Sequence, residues 1–134
     1  MITFQFATQK KNEAVDITSL VLEIVRKNDV VEGICQVFTP HATAAIILNE
    51  SADPNIGEDL HKALRQAIPD HNDYLHDKID NNAAAHIKAS LFGPSESIPV
   101  HEGRLVLGTW QAIMLVELDG PKNRKVIVNI VGER

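Results

Sequence analysis

The chain has 134 residues, of which 44% are hydrophobic and 23% charged, and its formal net charge is −5. This size and composition predict one globular domain over residues 1–134. Because the chain is acidic and only 4% of its residues are aromatic, we expect no nucleic-acid partner. No apolar run approaches the roughly 18 residues that span a membrane, and one cysteine, Cys35, excludes an intrachain disulfide. We therefore expect no membrane association and a cytoplasmic location.

The first half of the chain predicts three strands and two helices. Ile2, Phe4 and Phe6 alternate with polar residues, as in a half-buried strand, whereas apolar residues recur at helical spacing over 17–27. Asp16 or Thr18 is the expected cap of that helix. Strands over 33–38 and 43–48 follow, joined by a tight connection, and Asp53 with Pro54 predicts the start of a helix that ends before Pro69.

The second half predicts one more helix and a series of strands. Asn81 or Asn82 is the expected cap of a helix over 83–92, and Gly93 is well placed to end it. The expected strands cover 98–100, 104–107, 112–118 and 125–131. Since helices and strands do not alternate regularly, the predicted class is α+β with mostly antiparallel sheets.

A polar segment from Asp70 to Asn82 leads directly into the alanine-rich helix that contains His86. Five of the six histidines lie between His41 and His86. Imidazole nitrogens bind zinc and similar metals, so His41, His76 and His86 are candidate metal ligands. Taken singly, each histidine is as well explained by a surface or hydrogen-bonded position. His61 and His71 are interpreted in that way, and the role of His101 stays open.

Other polar residues are candidates for binding or proton transfer. Glu50 follows a strand and is the expected general base, while Asp53 has an alternative role as a helix cap. Ser90 shares a helix face with His86 and is expected to bind a ligand or the helix backbone. The start of the 83–92 helix, beside Asn82, predicts an anion pocket to which Arg124 could contribute; simple capping and a solvated arginine are the alternative. Trp110 and Gln111 could contact a ligand, although a lone tryptophan usually packs in a core.

Three sequence blocks resemble the YjbQ-like family, also called the secondary thiamine-phosphate synthase family. They are HATAAIILNESADPNIGEDL, the long block from YLHDKIDNNAAAH to DGPKNRKV, and the closing IVGE. The resemblance implies an α+β fold with a β-sandwich-like core and a few short helices, assembled as a homotrimer. It implies a metal or catalytic centre at His41, His76 and His86, and its other matched positions are Asn49, Glu50, Asp53, Ser90, Trp110, Gln111 and Arg124.

The activity attributed to the family is thiamine-phosphate synthesis, in which a pyrimidine diphosphate is joined to a thiazole phosphate. The first hypothesis is therefore a small enzyme that uses a divalent metal ion, zinc or magnesium, on a phosphorylated metabolite. Glu50, Asp53 and Gln111 would be catalytic, and Asn49, Asn82, Ser90, Trp110 and Arg124 would bind the substrate. The second hypothesis is a non-catalytic trimeric protein that binds an anionic metabolite.

Overall fold

The computed structural model describes residues 1–134 as two antiparallel sheets with three helices and one 3₁₀ turn. The strand order is β1-β8-β3-β5-β6 in the larger sheet and β2-β7-β4 in the smaller one. No helix is both long and apolar enough to cross a membrane. The strands are β1 (Ile2–Ala7), β2 (Glu13–Asp16), β3 (Glu32–Phe38), β4 (Ala44–Asn49), β5 (Ser95–His101), β6 (Arg104–Leu105), β7 (Ala112–Glu117) and β8 (Asn123–Glu133). The helices are α1 (Thr18–Arg26), α2 (Asn55–Ala67) and α3 (Ala83–Phe92), and the 3₁₀ turn is Leu75–Lys78.

Strand β7 lies at the centre of the molecule, and all six of its residues are buried. Side chains alternate between the two faces of a strand. Accordingly, Ile113 and Leu115 belong to the main apolar core, whereas Val116 packs with Ala85 and Ala89 of α3. The small side chains of α3 let this helix lie close to the smaller sheet, which fixes the position of the histidine on it.

The predicted fold class is confirmed, because every strand pair is antiparallel and the helices are few and short. The bounds of α3 agree with the prediction. Strand β2 was not predicted, because two of its four residues are acidic and polar and apolar side chains do not alternate clearly along it. The 3₁₀ turn within the polar segment was also not predicted, because its residues have no apolar period.

The helix caps differ in detail from the prediction. Helix α2 begins after Pro54 rather than at it, and Asp53 Oδ1 accepts a hydrogen bond from the backbone N–H of Asn55. Asn82 is at the N-cap position of α3, but its side chain makes no capping bond. Asp77 caps this helix instead, through a 3.0 Å bond from the backbone N–H of Ala83 to its Oδ1.

Candidate functional site

His76 and His86 form a close pair at the start of α3. The 3₁₀ turn places His76 so that its ring centroid lies 4.7 Å from that of His86, with the two rings nearly perpendicular. The Nε2 of His76 is shielded from solvent and has no hydrogen-bond partner. Oδ2 of Asp80 lies 3.6 Å from it, beyond hydrogen-bond distance. Since a buried polar atom without a partner is costly, this nitrogen is the best candidate of the pair to bind a ligand.

His41 lies near His86 of this pair, on the connection between β3 and β4. With His86 and Ser90 it lines a shallow depression of about 230 Å³. The backbone N–H of Lys125 donates a 3.0 Å hydrogen bond to Nε2 of His41. Burial, followed by the positive charge of Arg124, lowers the pKa of His41 below its usual value of 6.5. The ring is therefore neutral at pH 7, and its remaining proton is on Nδ1, where it can be donated to a ligand.

The histidine side chains are suitable metal ligands, but within one chain their arrangement does not form a metal site. Neutral imidazole is a good ligand for zinc, and His76 offers a free nitrogen. No group of three His, Cys, Asp or Glu side chains is placed together in a way that could hold a metal ion. In one chain, the structure thus brings two imidazoles together and leaves the third beside them with its Nε2 already bonded.

The features expected to bind an anion at α3 are occupied by the protein itself. The first free N–H of the helix is bonded to the carboxylate of Asp77. Asn82 donates a 2.8 Å hydrogen bond to Asp119, while its Oδ1 is buried without a partner. Ser90 Oγ donates to the backbone oxygen of His86 at 2.9 Å, so its hydroxyl proton is used within the helix.

Arg124 is buried between the two sheets and is 2% exposed. Its guanidinium binds both carboxylate oxygens of Glu117 and also donates to the backbone and side-chain oxygens of Thr43. Burial tends to raise the pKa of Glu117, but hydrogen bonds from Arg124 and Thr8 outweigh it and the net pKa is lowered. Arg124 therefore acts near His41 through its charge, and direct contact with a phosphate requires this ion pair to open.

Glu50 and Asp53 lie apart from the histidines. They line a second cavity, of about 340 Å³, between β2 and α2, which also includes His61. No residue lines both this cavity and the depression at His41. Asn49, at the exposed end of β4, accepts a 2.7 Å bond from the backbone N–H of Glu50.

Trp110 and Gln111 lie in the connection between β6 and β7. Trp110 is 66% exposed, so the alternative interpretation that it packs in the core is wrong. Gln111 Oε1 accepts a 2.8 Å hydrogen bond from the backbone N–H of Gly108. Neither residue lines the depression that contains His41 and His86.

The sequence profile of the family described as "UPF0047 protein YjbQ-like" matches residues 2–133. The chain belongs to the YjbQ-like UPF0047 family. Its relatives include the UPF0047 protein of Methanocaldococcus jannaschii, 38% identical over 134 residues that cover 100% of this chain and 96% of the relative. The UPF0047 protein of Archaeoglobus fulgidus is 43% identical over 121 residues, covering 90% of this chain and 93% of the relative.

Solved structures of YjbQ-like proteins have the same fold. A "YbjQ-like protein of unknown function" from Sulfolobus solfataricus P2 superimposes with a TM-score of 0.95 at 41% identity, covering 98% of this chain and 96% of that one. An uncharacterised YjbQ/UPF0047 protein from Clostridium acetobutylicum gives a TM-score of 0.93 at 43% identity, covering 98% and 100%. The family is thus established, and its description assigns no activity.

Two residues of this YjbQ-like chain were not recognised as site residues from the sequence. Lys125 is exposed, bonds His41 through its backbone, and its charge helps to lower the pKa of His41. His61 was interpreted as a surface or hydrogen-bonded residue, and the surface alternative is wrong, because His61 is only 5% exposed. The run of charged residues around Lys125 could have indicated its role near the site. For His61, the helical spacing of the sequence gave no indication that the side chain is buried.

Proposed function

We propose that the protein is a small metal-dependent enzyme that acts on a phosphorylated metabolite, formally a thiamine-phosphate synthase. The observation that supports a metal is the unpartnered Nε2 of His76 beside the ring of His86. A bound divalent ion, for which imidazole favours zinc over magnesium, would neutralise charge on a leaving diphosphate. His41 would be the third ligand, which requires its Nε2 to exchange the bond from Lys125 for the ion.

The surroundings of His41 support a phosphorylated substrate. Arg124, Lys125 and Lys122 all lower the pKa of His41 through their charge, whereas Glu117 acts in the opposite direction. Because Arg124 is paired with Glu117 and Lys122 with Asp119, the positive charge without an ion-pair partner on this side of the depression is that of Lys125. A phosphate there would accept hydrogen bonds from Lys125 and, after a side-chain rotation, from Ser90. Asn82 lines a separate pocket beside Asp119 and would bind the substrate only if the substrate extended that far.

The general base and its neighbours require more than one chain. Glu50, Asp53 and Gln111 are the proposed proton-transfer residues, yet in one chain none of them lines the depression at the histidines. In the proposed homotrimer, a neighbouring copy would bring Glu50 and Asp53 to the reacting atoms and Trp110 and Asn49 to the substrate. In the coupling, the thiazole nitrogen forms its bond to the pyrimidine methylene as the bond to pyrophosphate breaks, and no proton leaves the nucleophile. Glu50 would therefore act as a base only when water attacks the same diphosphate, by accepting the proton of that water.

Metal content and turnover test this proposal together. Untagged protein should contain close to one zinc ion per chain, and His86→Ala should lose it, whereas the exposed control His101→Ala should not. Pyrophosphate release from the pyrimidine diphosphate and thiazole phosphate should stop in metal-free protein and return when zinc is added. Equal metal content in His86→Ala and the parent would rule out His86 as a ligand, and full activity without metal would rule out the metal-dependent reaction.

The second candidate is a non-catalytic trimer that binds an anionic metabolite. It is favoured by one observation, the Nδ1 proton of neutral His41, which makes no hydrogen bond within the protein. In this case inorganic pyrophosphate should bind without turnover, Lys125→Gln should weaken that binding about tenfold, and Glu50→Gln should leave it unchanged. Turnover that depends on Glu50 would decide for the enzyme.

A further inference from the structure

The cavity between β2 and α2 has the size and enclosure of a ligand site. Its volume is about 340 Å³, which is within the range for small-molecule sites. One wall comes from β2 and the residues before it, and the other comes from the first three turns of α2 and the segment after β4. Only two of its 14 lining residues are hydrophobic, so a ligand there must be polar.

Two buried hydrogen-bond acceptors at this cavity have no partner. They are Nε2 of His61 and Oδ1 of Asn12. The His61 ring is 5% exposed. Burial is the main cause that lowers the pKa of His61, and an interaction with the backbone of Glu13 acts in the opposite direction, so the ring is neutral, with Nε2 as its acceptor when the proton is on Nδ1. Neither Nε2 of His61 nor Oδ1 of Asn12 has a hydrogen-bond partner within the protein, and N–H donors of a ligand would satisfy both.

The charges around the cavity are predominantly negative. Five carboxylates line it, from Glu13, Asp16, Glu50, Asp53 and Glu58, against the cations of Lys10 and Arg65. Backbone N–H groups and Ser51 already bind three of the carboxylates. No ion pair neutralises Glu50 or Glu58. The site therefore offers two free carboxylates and two neutral acceptors.

We propose that this cavity binds a small organic cation with N–H donors, an alkylammonium or guanidinium compound. The carboxylates of Glu50 and Glu58 attract the positive charge, and His61 and Asn12 accept hydrogen bonds from its N–H groups. The net negative charge of the cavity disfavours a phosphate or carboxylate ligand inside it. The inference goes beyond the proposed function, because neither the histidine pair nor a metal ion takes part, although Glu50, the proposed general base, also lines this cavity.

Calorimetric titration with agmatine, which has both an ammonium and a guanidinium group, tests the proposal. We expect saturable binding of one agmatine per chain, and at least tenfold weaker binding of choline, a cation without N–H donors. Glu58→Gln, on the exposed face of α2, should weaken agmatine binding about tenfold, as expected for loss of one charge-assisted hydrogen bond. Glu133→Gln, a carboxylate at the exposed end of β8, is the matched control and should have no effect.

His61→Phe tests the acceptor separately, since it keeps an aromatic ring but removes Nε2. It should weaken agmatine binding and leave choline binding unchanged, with circular dichroism as the check that it folds. The proposal is overturned if agmatine does not bind, if choline binds equally well, or if Glu133→Gln weakens agmatine binding as much as Glu58→Gln does. Zinc binding and turnover at the histidines are measured independently, so failure here leaves the proposed function standing.

Discussion

The ion pair between Glu117 and Arg124 connects the two sheets at a point where neither side chain reaches water. Glu117 belongs to β7 of the smaller sheet and Arg124 to β8 of the larger one. Glu117 is 0% exposed and also accepts a 2.6 Å bond from Thr8. Each charge is thus compensated only by the other and by nearby hydroxyl and backbone groups. Removal of either partner would leave a buried charge without compensation.

Glu117→Ala should therefore lower the free energy of unfolding by about 3–5 kcal/mol. The measurement is urea unfolding at pH 7, monitored by circular dichroism. Glu23→Ala is the matched control, because Glu23 pairs with Arg26 and Lys27 on the exposed face of α1 and such pairs contribute little. Similar losses in the two variants would contradict the structural role of the buried pair.

Two histidines should titrate on opposite sides of the ordinary value of 6.5. The pKa of His41 is lowered, first by burial, and that of His101 is raised, first by its hydrogen bond to Glu32 at 2.7 Å. The ion pair between His101 and Glu32 stabilises the fold fully below pH 6.5. This stabilisation is lost as the pH rises through the raised pKa of His101. NMR titration should show both midpoints, and Glu32→Gln should move only that of His101 back toward 6.5. An unchanged His101 midpoint in that variant would exclude Glu32 as the cause.

The sequence indicated which residues belong to the candidate site but not the hydrogen bonds that each of them makes. The family resemblance pointed to His41, His76 and His86, and the structure places the last two in contact with His41 nearby. Arg124 was considered as a phosphate ligand because no pattern shows that Glu117, within the apolar run AIMLVEL, lies opposite it. That pairing depends on the packing of one sheet on the other, which sequence periodicity does not report.

At the scale of the elements, helix α3 is capped by a side chain of the 3₁₀ turn that precedes it, not by a residue at its own N-cap position. The carboxylate of Asp77, six residues before it along the chain, accepts the hydrogen bond of Ala83, so the 3₁₀ turn and the helix are fixed to each other. The turn also contains His76. Loss of the cap should loosen both the start of the helix and the histidine pair.

Asp77→Ala should destabilise the protein by about 1 kcal/mol, the usual effect of removing an N-terminal cap. It should also reduce zinc content if the metal proposal is right, because His76 would lose its fixed position. Asp29→Ala is the control, since Asp29 is an exposed loop residue. Chemical unfolding together with metal analysis measures both effects; stability equal to that of Asp29→Ala would show that Asp77 does not cap α3.

Helix α2 was predicted correctly, but the spacing of its apolar residues does not report how deeply they are buried. The helix forms over Asn55–Ala67, yet Ala63 and Ala67 are exposed and His61 is its only buried residue. The reason is that α2 packs on the short polar strand β2, which the sequence did not reveal, rather than on the main core. Helix α3 was predicted correctly because its alanines do pack on a central strand.

At the scale of the whole molecule, exposed apolar side chains cluster in sequence around the histidine turn. Leu75 and Ile79 flank His76 and are 80% and 78% exposed. Such residues mark interaction surfaces when they lie together, which supports the proposed homotrimer. A contact there would also explain how a neighbouring chain could complete the site.

The mass in solution should therefore be three times the 14.8 kDa of one chain, as measured by light scattering after size-exclusion chromatography. The double variant Leu75→Lys/Ile79→Lys should shift the mass to that of a single chain. Leu22→Lys, which changes an exposed leucine of α1, should leave the mass unchanged. A single-chain mass for the parent protein would refute the trimer.

The reactivity of the single cysteine can report how often the larger sheet opens. Cys35 lies on β3 in the middle of the larger sheet, is 0% exposed, and burial raises its pKa to about 11. In the closed state its thiol is therefore both inaccessible and protonated, and a thiol reagent can react only when β3 separates from its neighbours. The rate of labelling thus measures how often the sheet opens under native conditions. Ligands added at either cavity can be detected by how far they slow that rate.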